Sequence, residues 1–113
     1  MQYAIADYLQ DSTAYERVSS FYEEKRNLTL KLLKKSSLKP LHTCGTYFQL
    51  VDYSHTNFEN GIEITNYLVK EKSLSLIPLE PFYQKYEAPK LIRICFAKKD
   101  KTLKKGLKSL NAF

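Results

Sequence analysis

Apolar positions along the chain fall into two kinds of spacing, one helical and one alternating, and the changes between them outline its elements. Residues 2–10 predict a short amphipathic helix, with Ile5 and Leu9 one turn apart and Tyr8 beside them, interrupted at Asp11 and Ser12. A longer helix follows. Ser12 or Thr13 can accept a hydrogen bond from its first turn, and Glu16, three residues after Thr13, completes a capping-box pattern. Its apolar stripe runs through Val18, Phe21, Leu28 and Leu32, with Lys25 filling one place of the spacing and Tyr22 and Leu33 widening the face. Such a helix lies on something. The pattern ends in KKSSLKP, where the serines and Pro40 break it.

From Gly45 to Tyr53 the period changes to two: Tyr47, Gln49, Val51 and Tyr53 share one side and Phe48 and Leu50 the other. Both sides are largely apolar or aromatic, so this strand is expected to be covered on both faces. A loop over 54–61 leads to a helix over 62–71 through Ile64, Tyr67 and Leu68. A short strand is expected over 74–77, stopped by Pro78, and then an irregular stretch over 78–89. Lys90 to Ala97 alternates again, with Ile92, Ile94 and Phe96 on one face and Leu91, Arg93 and Cys95 on the other. A last helix begins at Asp100, a natural N-cap, and runs through Leu103, Leu107 and Leu110. Amphipathic helices need a surface to cover, and three strands supply a small one. The expected fold is α+β, a two-layer sandwich of a small three-stranded sheet with helices packed on it.

Composition sets the bounds of what such a fold can do. At 113 residues the chain has room for one core, and 43% hydrophobic with 27% charged residues is a globular balance. No apolar run approaches the ~20 residues that cross a bilayer, and the N-terminus lacks the pattern of a signal peptide. A cytoplasmic, reduced protein is expected. The net charge of +6 is uneven, because six lysines from Lys98 onward face Asp100 alone. No arginine or aromatic is interleaved there to stack on bases or grip phosphate, so a solvated lysine face is expected rather than a nucleic-acid interface.

Candidate chemistry is sparse. Arg93 stands in the middle of LIRICFA, where a buried cation needs a partner. Its planar fork of donors matches a carboxylate, which could belong to an Asp or Glu of this chain or to a ligand. His42 and His55 fall in loops and are expected at the surface; Cys44 is expected to be a buried, inert thiol and Cys95 a packing residue. Neither cysteine has the spacing of a zinc site. Gly45, just before an aromatic strand, is expected where a neighbour or ligand approaches the backbone closely. No nucleotide-binding glycine motif, HExxH or paired-acid set is present, so the chain by itself holds no catalytic constellation.

Three strings carry a resemblance. KPLHTCGTYFQLVDYS over 39–54, LIPLEPFY over 76–83 and LIRICFAKKDKTLKKGLKSL over 91–110 resemble the C-terminal small domain of class I/II aminotransferases. These are fold-type I enzymes that depend on pyridoxal phosphate, and the closest likeness is to their methionine and kynurenine aminotransferase branch. QYAIADYL and FYEEKRNLTLKLL resemble the helices that lead into that domain. The resemblance implies helices over 1–36 entering a small domain over 37–113, as one structural unit. It implies that Arg93 binds the substrate's α-carboxylate and that Gly45, Tyr47 and Phe48 line the substrate side. Glu80 and Pro81 depart from the small or hydroxyl residue usual between the prolyl turn and the Phe-Tyr pair. In the family the lysine that holds the cofactor, the acid at its ring nitrogen and the phosphate cup come from a preceding large domain. The implied partners are therefore that missing large domain, an amino-acid or 2-oxo-acid substrate, and a second copy of the chain. Alone, the chain is expected neither to bind pyridoxal phosphate nor to transaminate. The alternative is a free-standing, non-catalytic binding module that uses the lysine-rich C-terminal helix.

Overall fold

A computed structural model describes residues 1–84 and 88–112. Helix α1 (Gln2–Tyr8) is followed by the long α2 (Ser12–Leu33), the strands β1 (Lys39–Pro40) and β2 (Phe48–Asp52), and α3 (Gly61–Lys72). Then come β3 (Ile77–Pro78), a 3-10 turn at Glu80–Phe82, β4 (Leu91–Cys95), α4 (Asp100–Lys108) and a closing 3-10 turn at Ser109–Ala112. The irregular stretch expected over 78–89 is described only in part, since residues 85–87 lie outside the described residues.

The sheet has four antiparallel strands in the order β1-β2-β4-β3, one more than expected. The additional strand is the Lys39–Pro40 pair, which the sequence pattern treats as a break, and the strand expected over 74–77 is Ile77–Pro78 instead. Both corrections have one cause. A proline lacks the N–H of a ladder bond, which bars it from a central strand but not from an edge, and these two short strands are the two edges.

Between the central strands the register pairs Gln49 with Ile94, Val51 with Ile92 and Leu50 with Arg93. Val51, Ile92 and Ile94 enter a core with Leu33 of α2, Ile64 and Leu68 of α3, Leu107 of α4, and Tyr53 and Leu110. Phe48, Leu50, Leu91, Arg93 and Cys95 point the other way and are only half-buried. The alternation is as expected, but the second face is only partly covered among the described residues, because the core-forming helices pack on the inner side.

Helix caps show the reach of long-range structure. Asp11, not Ser12 or Thr13, caps α2, its carboxylate accepting from the Thr13 backbone N–H at 3.0 Å. The buried side of α2 is its C-terminal half, at Thr29 and Leu33, while Val18 and Phe21 of the expected stripe stay exposed together with Ile5 and Leu9 of α1. Asp100 is the first helical residue of α4 rather than its N-cap, and its carboxylate takes an ion pair from Lys25. That pair explains a cation in an apolar stripe: Lys25 ties α2 to the start of α4. Its ammonium also lies 5.2 Å from the Phe21 ring centre.

Helix α3 is capped twice. Asn60 accepts from the Glu63 N–H at 2.9 Å, and the Glu80 carboxylate, from beyond β3, accepts from the Gly61 N–H. A Cβ at Gly61 would lie 2.5 Å from Glu80 Oε2, so a larger residue there would push the carboxylate away from the helix start. The Tyr53 hydroxyl donates to the same carboxylate at 3.5 Å. Burial first, and the Glu80 charge second, push the Tyr53 phenol up to about 12.

Two predictions follow from this packing. Ile92→Ala should lower stability by about 2–5 kcal/mol, as large-to-small changes in a closed core do, whereas Val18→Ser should change it by no more than ~0.5 kcal/mol. Urea midpoints measure both, and a large loss from Val18→Ser would mean that the face is covered. Tyr53 keeps its proton to about pH 12 in the fold, against 10.0 for an ordinary phenol. Its contribution is therefore complete below pH 10 and fades as pH rises towards 12. Tyr53→Phe should flatten the fall of stability across that window, and an unchanged slope would contradict the assignment.

Candidate functional site

The pleat of β4 delivers Arg93 to the outer sheet face. Ile92 and Ile94 on either side point inward and are fully buried, so the residue between them must point outward. Its guanidinium carbon lies 4.8 Å from the Phe48 ring centre, and Phe48 in turn meets Tyr47 edge to face, with centroids 5.6 Å apart at 85°. Arg93, Phe48 and Tyr47 thus form one continuous run across β4 and the start of β2. Among the described residues no carboxylate pairs with Arg93. Its Nε is buried and has no hydrogen-bond partner. An N–H left in that state costs about 1–3 kcal/mol, which an arriving acceptor recovers.

Gly45 and Tyr47 lie beside this run in a different hollow. Together with Cys44, Thr46 and the α2 residues Tyr22, Glu23 and Arg26 they line a groove of about 370 Å³, from which Arg93 is absent. The structure therefore brings Arg93, Phe48 and Tyr47 together and places Gly45 at the far end of the row. The close approach expected at Gly45 is not there: nothing comes within 4 Å of where a Cβ would stand. The unusual backbone belongs to the next residue, Thr46, at φ 68°, a conformation that a β-branched side chain rarely takes. Its hydroxyl accepts from the Tyr47 N–H at 2.6 Å.

Several residues have roles the sequence pattern does not signal. Arg26 spans from α2 to the loop, donating to the Thr43 carbonyl at 3.3 Å while paired with Glu23 at 3.0 Å. Cys44, expected to be buried, is exposed, and its Sγ lies 3.1 Å from His42 Nε2. It lies in the loop between β1 and β2, outside the elements that form the core, and its thiol faces water. His42 and His55 are at the surface as expected, and the lysines of α4 from Lys101 onward are solvated. Cys95 is half-buried on the Arg93 side of the strand. No group of metal-binding side chains and no helix long and apolar enough to cross a membrane occurs among the described residues.

Comparison with known proteins places this geometry. The chain is 40% identical over 103 residues to a methionine aminotransferase of Escherichia coli, an alignment that covers 90% of this chain and 27% of that protein. It is 33% identical over 93 residues to human kynurenine–oxoglutarate transaminase 3, covering 72% of this chain and 20% of the relative. In three dimensions the chain superposes on a crystal structure reported to identify a methionine aminotransferase function in E. coli. The TM-score there is 0.90 at 37% identity, over 97% of this chain and 29% of that one. An N-succinyldiaminopimelate aminotransferase from Mycobacterium tuberculosis, 23% identical with a TM-score of 0.84 over 98% of this chain, shares the fold. The chain thus spans between a fifth and a third of the length of these proteins. The family model of class I and II aminotransferases matches residues 1–110, nearly every residue of the fold described above. By sequence and by shape together, this chain belongs to the class I and II aminotransferases.

Proposed function

We propose that this chain supplies the substrate-carboxylate site of an aminotransferase that transfers the amino group of methionine or an aromatic amino acid to a 2-oxo acid. The observation that carries the reading is the Arg93 guanidinium, its carbon 4.8 Å from the Phe48 ring centre, with a buried Nε–H and no acid of its own among the described residues. A planar donor fork in that state is preorganised for the carboxylate of an amino acid, which it can grip through two parallel hydrogen bonds. Phe48 backs the plane and Tyr47 borders it, so the substrate's orientation is set before chemistry begins. Gly45 leaves open space at the end of the row. The names of the methionine and kynurenine relatives support the choice of amino donor.

Pyridoxal phosphate, the cofactor of the family, acts as an electron sink once linked to a lysine amine. The described residues do not fit it on their own: the groove beside Gly45 is lined by Arg26 and Glu23, already paired with each other, and by no lysine. In this reading the cofactor is held by a large domain outside these residues, residues 37–113 act as the small domain, and the chain alone transfers no amino group. The exposed apolar side chains of α1 and the first half of α2, among them Ile5, Leu9, Val18 and Phe21, support a further packing partner, either that domain or a second copy.

In an aminotransferase that carries this segment, Arg93→Gln should reduce kcat/KM for the amino donor by roughly 10²–10³, the range for removing one member of a desolvated, hydrogen-bonded ion pair. The same change should leave the thermal midpoint of the chain nearly unaltered, since Arg93 makes no ion pair among the described residues. Undiminished turnover in the variant would refute the assignment. Steady-state kinetics with methionine and calorimetry of the chain read the two effects separately.

A further inference from the structure

A second hollow lies away from the Arg93 row, between α4 and residues 73–76, with a volume of about 620 Å³. That is the size range of small-molecule sites. Its floor is apolar, formed by Leu74, Leu76, Leu103 and Leu107. Lys72, Lys98 and Lys105 also line it, and no Asp or Glu among the described residues does. None of the three lysines takes an ion pair among the described residues, in contrast to Lys25 on the other side of α4. Gly106 shapes the groove: a Cβ there would meet Leu74 Cδ1 at 3.2 Å, so glycine lets the segment after α3 lie close against α4.

We propose that this groove binds a small amphiphilic anion, a monocarboxylate with an apolar body. Three cations of one sign around a low-dielectric floor concentrate positive potential over it, which draws a single negative headgroup. The apolar lining, with Leu74 half-buried at its surface, favours a hydrocarbon body over an inorganic ion, because an ion alone would leave that side chain in contact with water. The headgroup needs no deep burial, since the lysines reach along the rim on flexible stems and keep their own hydration. Arg93 is absent from the lining, so this site is separate from the proposed substrate site and stands without it.

Calorimetric titration of the 113-residue chain with decanoate, below its micelle-forming concentration, supplies the test. Decanoate should bind saturably, and K72Q/K98Q/K105Q should raise its Kd roughly tenfold, the order expected when three exposed charge contacts are removed together. Decanol and decyltrimethylammonium should bind more weakly than decanoate, and Arg93→Gln should behave as the unaltered chain. The proposal is overturned if decanoate does not bind, if decanol binds equally, or if the rim variant is unchanged. It is also overturned if Arg93→Gln abolishes binding, which would put the anion on the outer sheet face.

Discussion

Antiparallel pairing of β2 with β4 decides both what is buried in this protein and what is offered outside. Val51 stands opposite Ile92 and Gln49 opposite Ile94 on the inner face, while Leu50 stands opposite Arg93 on the outer one. A slip of one residue would exchange the two sets, driving a guanidinium into a core of leucines and isoleucines and exposing three of its fully buried side chains. The register is thus held by the difference in solvation between the faces. Gln49, the polar side chain on the inner face, reinforces it by donating to the carbonyls of Leu41 at 2.6 Å and Leu50 at 2.8 Å. That bond to Leu41 fastens the chain leaving β1 to the central strand.

Around this pair the structure is tied by contacts between residues far apart in the chain. Glu80 reaches back to the first N–H of α3 and receives the Tyr53 hydroxyl, so one carboxylate joins the end of β2, a helix start and the turn after β3. Glu80 thus serves as a helix cap, and the favourable interaction of an anion with a helix N-terminus gives the acid at this position a physical reason. Lys25 plays the corresponding part between α2 and α4.

The outer face carries the functional reading because it combines an unpaired cation with an aromatic backing and incomplete cover. The sequence leaves two partners open for Arg93, an internal acid or an incoming one. In the fold the ion pairs of the described residues go to Lys25 and Arg26, and Arg93 has a ring beneath it and a buried N–H without an acceptor. Charge elsewhere is arranged differently. The lysines of α4 are exposed, whereas Leu103 and Leu107 of the same helix are buried.

What the amino-acid sequence determines by itself is whatever depends on near neighbours. The alternation of Ile92, Arg93 and Ile94, the helical spacing of Ile64 and Leu68, and the strings that mark the family are properties of residues two to four places apart, where the pleat and the helical turn set the geometry. Tertiary structure alone decided which half of the α2 stripe meets the core, that Gly61 rather than Gly45 lies under a close approach, and that Cys44 faces water beside His42. It also decided that Pro40 and Pro78 become sheet edges. Each of these depends on where a distant segment comes to rest, as when Glu80 arrives at a helix start 19 residues earlier, and no local period encodes that position.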